Sequence, residues 1–316
     1  MHPIFLYYPM DVPSKQVSEL PFPIFQEGEH YFFILPAENE KVIQEMHVIG
    51  QFFHYHQWYH VMFPLLNSHQ QLITPIGKDK YMLCYARKKN PNFTYDLAQF
   101  HKVGSLFPYQ VTNMNHYGNW KKLWIQKIDQ HEAMYQKFMQ HRPVNGLLRE
   151  YIDFFPYVLG VAENAIQYLT VTEKAGNFTG NDQSTFTFGR YNNQLESEFI
   201  NVSELVADHP VRDIAEWMRP QLFAEQRLYE GWNSFGRSYI EQIPLSSFGW
   251  NLLFSRLLFP IHIFDIFEKL YENNFELTHF YYLPIDEYER YEKNLQYFFS
   301  TAIEQQERDG IQLDWL

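Results

Sequence analysis

Cysteine is nearly absent: Cys84 is the only one in 316 residues. An intrachain disulfide framework or a cysteine-based zinc site is therefore excluded, in keeping with a reducing compartment, and cytoplasmic residence is expected. Positive charge is also scarce. Lys and Arg number 25 against 37 Asp and Glu, a formal charge of −12 that repels phosphate backbones and anionic lipid headgroups, so neither nucleic acid nor a membrane is an expected partner. Long uninterrupted apolar runs are missing. The most apolar stretch, Trp250 to Leu270, is crossed by Arg256, His262 and Asp265, which are costly at the centre of a bilayer, and it reads as a buried helix. Met1-His2-Pro3-Ile4-Phe5 carries no basic region, apolar core or small-residue cleavage site, so no export signal is expected. Internal repeats and low-complexity segments are likewise lacking.

Aromatic material is abundant. With 29 Phe and 23 Tyr, and hydrophobic residues at 46%, the chain can fill a dense core. Its length fits two lobes at roughly 150 residues each.

Up to Arg87 the pattern is of short β-like runs: Ile4 to Tyr8, Tyr31 to Leu35, Val61 to Leu66 and Tyr81 to Ala86. One helix is expected among them, Glu40 to Tyr55, where Val42, Ile43, Met46, Ile49, Phe52 and Phe53 recur at spacings of three and four. Residues 1–87 thus read as a small β-rich lobe, and the charged, Pro-containing 88–92 as a linker. From 93 to 316 the periodicity is mainly helical. Trp120 to His141 forms one stripe, broken by Pro143 and Gly146; Asp153 is expected to cap a second helix with Pro156 in its first turn. Thr185 to Phe188 and Glu198 to Val202 read as a hairpin around Asn192-Asn193-Gln194. Helices are expected over Val211 to Phe223, Trp250 to Tyr271 and Asp286 to Arg308.

Within this order, Asp208-His209-Pro210-Val211-Arg212-Asp213-Ile214-Ala215-Glu216-Trp217 resembles the Asp-Leu-Ala helix start of the aminoglycoside phosphotransferase and choline kinase-like group. Together with Ala162 to Tyr168, Pro244-Leu245-Ser246 and Arg256 to Pro260, it makes the chain similar to the YutH-type spore-coat-associated proteins, near the CotS and CotI coat proteins of Bacillus-type bacteria. The resemblance implies an α+β, bilobal protein kinase-like fold. It also implies synthesis in the mother-cell cytoplasm, later residence in the spore coat, other coat proteins as partners, and a possible small-molecule ligand in an inter-lobe cleft.

Carried onto this sequence, the His-Gly-Asp loop of the group falls on Phe188-Gly189-Arg190 and its Ile-Asp-Phe turn on Ile200-Asn201-Val202. Both carboxylates are gone. The first would orient the accepting hydroxyl and the second would hold the magnesium bridging the nucleotide phosphates. Arg stays protonated, and Asn offers only a neutral oxygen to a hard cation. The strand Tyr31-Phe32-Phe33-Ile34-Leu35-Pro36, where the phosphate-holding Lys belongs, contains none, which leaves Glu45 without that partner. Only Gly28 stands in for a glycine-rich turn. Asp208, Arg212 and Asp213 would survive as a structural motif. No catalytic residue, metal or cofactor is expected, and the role expected is binding or structural; the competing reading is an active phosphotransferase using Asp182, Glu196, Glu198 or Asp208 instead.

His54, His56 and His60 are close in sequence but have no carboxylate among them, so packing is favoured over metal binding. Asp208, Asp213 and Glu216 at a helix start read as capping residues. Arg190 and Arg212 would form either an anion pocket or ion pairs with Asp208 and Asp213.

Overall fold

A computed structural model describes residues 2–10, 15–18, 22–93, 95–140, 146–223, 225–272 and 285–305. The chain forms two compact units, Met1–His116 with Ser184–Pro210, and Tyr117–Gln183 with Val211–Leu316.

The first unit is built on strands β1 (Lys15–Ser18), β2 (Ile24–Glu27), β3 (His30–Pro36), β4 (Val61–Pro64), β5 (Thr74–Ile76) and β6 (Asp79–Arg87), with helices α1 (Glu40–Tyr55) and α2 (Leu97–Gly104). Later in the chain it gains β7 (Thr185–Phe188), β8 (Ile200–Asn201) and β9 (Leu205–Asp208). The main sheet runs β1-β2-β3-β6-β4-β8, with β5 on β6, and is antiparallel except for the β4–β8 pair. Gly28 makes the β2–β3 turn possible: its φ of +59° is a left-handed value that glycine adopts without strain.

Helix α1 follows the expected bounds. Its Asn39 side chain accepts hydrogen bonds from the Lys41 and Val42 amides, and Ile43, Met46, Ile49 and Phe53 form the buried stripe. Gly50 lets α1 lie directly on β4, because a Cβ there would collide with the Phe63 side chain. One face of β3 turns Phe32 and Ile34 into a cluster with Ile4, Phe5, Phe25 and Leu83. Ile4 to Tyr8 is not a strand: Pro3 starts a 3-10 turn, Pro3–Tyr7, whose Ile4 amide donates to the His2 ring. Deeper in the unit, Phe53 stacks on Phe100 at 4.8 Å and Phe100 on Phe188 at 5.2 Å. Each of these rings is fully buried, which stabilises by roughly 1.5–3 kcal/mol per side chain.

The expected hairpin is re-paired. β7 pairs with β9 in the register Thr185↔Asp208 to Phe188↔Leu205, whereas Ile200 and Asn201 align parallel to Val61 and Met62 of β4. All four residues of β7 are buried beside Leu205 and Ala207 of β9, while Ile200, equally buried, is taken by β4. Residues 112–116 join this unit too, through Ala207 N to Met114 O and His116 N to Ala207 O, both 2.8 Å. The compact units therefore do not divide at residue 87; 93–116 and 184–210 pack with the β-rich part.

The second unit contains α3 (Trp120–Met139), α4 (Gly146–Ala175), α5 (Val211–Met218), α6 (Glu225–Gly231), α7 (Arg237–Gln242), α8 (Ser247–Leu258), α9 (Ile261–Glu272) and α10 (Ile285–Gln305). Helix α4 starts earlier than expected and runs through Pro156. Asp153 is not its cap but a mid-helix residue, 3.8 Å from Arg149 one turn back. The backbone bond that Pro156 forfeits is offset by burial of Tyr151, Phe154, Phe155 and Val158 on either side. The single helix expected over Trp250 to Tyr271 is two. Pro260 forces Phe259 into an extended conformation (ψ 119°), and the Arg219 guanidinium satisfies the freed carbonyls of Arg256, Leu257 and Phe259. Ser247–Glu272 has the length and apolar composition of a membrane span, but its apolar window is 72% buried inside the protein. The pattern expected over Val211 to Phe223 is α-helical to Met218 and a 3-10 turn beyond it, where Pro220 lies. His141 and residues 306–308 of the expected helices, and the expected breaker Pro143, lie outside the described residues.

Candidate functional site

The loop after β7 belongs wholly to the first unit. Phe188, which the resemblance sets against the His of the phosphotransferase loop, is fully buried and stacked on Phe100. Gly189 donates its amide to the Glu204 carbonyl at 2.7 Å, tying the loop to the start of β9. Arg190 is exposed, and its carbonyl accepts from Gln194 Nε2 at 2.6 Å, while Asn193 turns the chain with φ +56°. Asn201 Oδ1 accepts from the Ser203 amide at 3.1 Å and so caps the short 3-10 turn Val202–Glu204.

This donor set does not fit a magnesium ion. A hard divalent cation needs anionic oxygens, and the two positions offer a guanidinium and a neutral amide oxygen already engaged by backbone. Among the described residues no group of three His, Cys, Asp or Glu could hold a metal.

Phe199, two residues before Asn201, is where the sequence reading fell short. Its ring lies 4.8 Å from that of Tyr31 and 5.1 Å from that of Phe33, alternate residues on one face of β3. The flanking chain is tied down: Lys88 Nζ pairs with Glu198 Oε1 at 2.8 Å, Lys89 donates to the Leu195 carbonyl, and the Ile200 amide donates to the His60 carbonyl at 2.9 Å. The advance signal was a Phe within the β-like run Glu198 to Val202, just after the polar Glu196-Ser197-Glu198.

Glu45, which lacks a lysine partner in β3, holds backbone amides instead. It accepts from the amides of Thr112, Asn113 and Met114, each at 2.9 Å, and from the Asn113 side chain. Burial raises its pKa, but the bonds from Asn113, Thr112 and Met114 outweigh that and hold the carboxyl below its ordinary value.

The family description "Spore coat putative kinase YutH" matches residues 4–309. The chain belongs to the YutH family. The endospore coat-associated protein YutH of Bacillus subtilis (strain 168) is 31% identical over 289 residues, covering 88% of this chain and 85% of that one. Among solved structures, an aminoglycoside phosphotransferase from Alicyclobacillus acidocaldarius subsp. acidocaldarius DSM 446 superposes with a TM-score of 0.59 at 11% identity, covering 95% of this chain and 94% of the other. An AMP-bound spectinomycin phosphotransferase gives 0.51 at 10%, covering 94% and 96%. Identities this low speak for the fold alone: the YutH-family chain has the α+β, kinase-like phosphotransferase fold expected of it.

Of the acidic residues available as replacements in this YutH-family protein, Asp182, Asp208 and Glu198 have structural partners. Asp182 is buried and accepts from the Thr179 amide (2.6 Å), Thr179 Oγ1 (2.9 Å) and Ser246 Oγ (2.7 Å). Asp208, buried at the end of β9, accepts from the His209 amide at 2.7 Å. Glu198 is paired with Lys88, and Glu196 is exposed. Arg212 and Asp213 lie in the first turn of α5 and are both buried.

The three histidines of the YutH-family chain do not converge on a common point. His54 Nε2 donates to the Val61 carbonyl at 2.8 Å, His56 packs on Phe52 at 4.6 Å, and His60 is fully buried between Trp58 and Tyr95. Burial pushes His60 down to about 3, assisted by the charge of Lys89, and burial likewise lowers His54 to about 4. An open cleft of about 730 Å³ lies between α1 and residues 107–113, with Val48, Phe107 and Val111 among its apolar walls and Lys41, Gln44 and Gln51 along the helix.

Proposed function

We propose that this YutH-family chain is a non-catalytic kinase-fold protein that serves the spore coat as a structural or binding component. On this reading it is made in the mother-cell cytoplasm, reaches the coat from there, and has other coat proteins as partners. The observation that carries the reading is the pair Arg190 and Asn201. One puts a permanent cation where a base is needed; the other puts an amide, already spent on capping the next turn, where a metal ligand is needed. The bonding of Asp182, Asp208 and Glu198 supports it further, because each displaced carboxylate has a partner of its own.

The test is phosphate release and transfer from magnesium ATP over a panel of small alcohols and amines. The expected result is no turnover above a buffer blank. Turnover that falls by orders of magnitude in Asp208→Ala or Glu198→Ala would instead establish an active phosphotransferase with relocated acids.

A further inference from the structure

We propose that the cleft between α1 and residues 107–113 is a peptide-binding groove of the first unit. It takes an extended segment of a partner protein along the main chain of Tyr109, Gln110 and Val111, with an acidic residue of that segment at Lys41. This stands apart from the non-catalytic reading, because neither residues 188–190 nor 200–202 line the cleft.

The loop wall of the cleft is anchored at both ends. Glu45 accepts from three successive amides, Thr112, Asn113 and Met114, at 2.9 Å each, which fastens the loop to the helix. At the other end the Phe107 ring packs against Phe52 of α1, at 5.1 Å, and Phe186 of β7, at 5.0 Å. Between these anchors the backbone is bare: among the described residues, no hydrogen bond reaches the main chain of Tyr109, Gln110 or Val111. A held row of unpaired amides and carbonyls is a template for an added strand. The cleft beside it, about 730 Å³, gives that strand room.

The helix wall suits the same occupant. Lys41, Gln44, Val48 and Gln51 line the cleft at helical spacings of three and four. From Lys41 to Gln51 the helix advances about 15 Å, the length of four to five residues of extended chain. Val48 offers an apolar contact midway, and the Gln44 and Gln51 carboxamides, which have no hydrogen bond among the described residues, offer both donors and acceptors. The charge of the lining decides the sign of the partner. Glu45 is spent on the loop amides, whereas Lys41 has no ion pair among the described residues, so the charge left open is positive and complements a carboxylate.

The test screens a fluorescent library of randomised hexapeptides, flanked by Gly-Ser, against wild type and Val48→Glu, with near-ultraviolet circular dichroism to verify packing. Wild type is expected to enrich peptides with an acidic residue at one end. The best of them is expected to bind Val48→Glu about ten-fold more weakly, and Lys41→Glu about three-fold more weakly, the latter difference shrinking in about 0.5 M sodium chloride. That peptide is then N-methylated at alternate main-chain nitrogens, in both possible patterns. One pattern is expected to lose at least ten-fold in affinity for wild type, since it removes the donors to the loop carbonyls. No enriched peptide, equal binding by folded Val48→Glu, or indifference to both methylation patterns overturns the proposal. Should Val48→Glu fail to fold, the methylation comparison decides, because it uses wild type alone. A wild-type dimer that Lys41→Glu dissociates would give the groove to a second copy of this chain and also overturn it. Phosphotransfer by wild type would sink the non-catalytic reading yet leave the peptide comparison standing; failure of the peptides would do the reverse.

Discussion

Arg256 Nη2 lies 2.9 Å from Glu216 Oε1, with the two side chains only 7% and 8% exposed. The guanidinium also sits over the Trp120 ring at 4.7 Å, so one side chain bridges α5, α8 and the start of α3. Taking one member from a buried pair strands the other charge, the costly way to break it.

Arg256→Met is therefore expected to destabilise the protein by about 3–5 kcal/mol, read from urea unfolding at neutral pH. Arg256→Met/Glu216→Leu should recover at least half of that loss, because neither charge is then left buried. A double variant as unstable as the single would assign the loss to packing on Trp120 instead.

Glu45 gives a second expectation, with its sign set by the lowered pKa. A carboxyl depressed in the folded state stabilises above its ordinary value of 4.5, and that stabilisation is lost as pH falls through the folded value. Glu45→Gln should thus be less stable than wild type at pH 7, by about 1 kcal/mol given the partial exposure of the site. The two unfolding curves should converge in acid. A gap that stays constant with pH would rule out ionic bonding to the 112–114 amides.

Buried histidines act over a higher pH range. His60, lowered to about 3, and His131, lowered to about 4 chiefly by burial, stay neutral in the folded protein while their unfolded counterparts take up protons below 6.5. The stability they leave intact above pH 6.5 is lost as pH falls toward their folded values, at about 1.4 kcal/mol per pH unit for each. Between pH 6.5 and 5, His60→Leu should lose about 2 kcal/mol less than wild type, measured by urea midpoints at each pH. Parallel losses would mean that His60 takes up its proton in the folded protein as readily as in the unfolded one.

What could be read in advance follows from how local each signal is. Helix α1 was legible because its cap at Asn39 and its three-four spacing lie within one segment. Strands β3 and β6 were legible from their runs of apolar and aromatic residues. Pairing was not, because Thr185 to Phe188 and Glu198 to Val202 look like neighbours in sequence, whereas Ile200 and Asn201 pair with the distant β4 and leave β7 to Leu205 to Asp208. The same holds for Pro156, where tertiary packing overrides a local breaker, and for Pro260, where the Arg219 guanidinium takes up the carbonyls that the break frees. At the site, Arg190 and Asn201 were legible as residue types by resemblance. The seat of Phe199 on Tyr31 and Phe33 was not, since it joins residues far apart in the chain.

Calorimetric titration of ATP into the wild-type protein, with and without magnesium, bears most directly on the account. On the proposed reading no magnesium-dependent heat is predicted up to millimolar nucleotide, because Asn201, an amide spent on capping the next turn, takes the place of the metal ligand. Micromolar affinity that appears only when magnesium is present would contradict it.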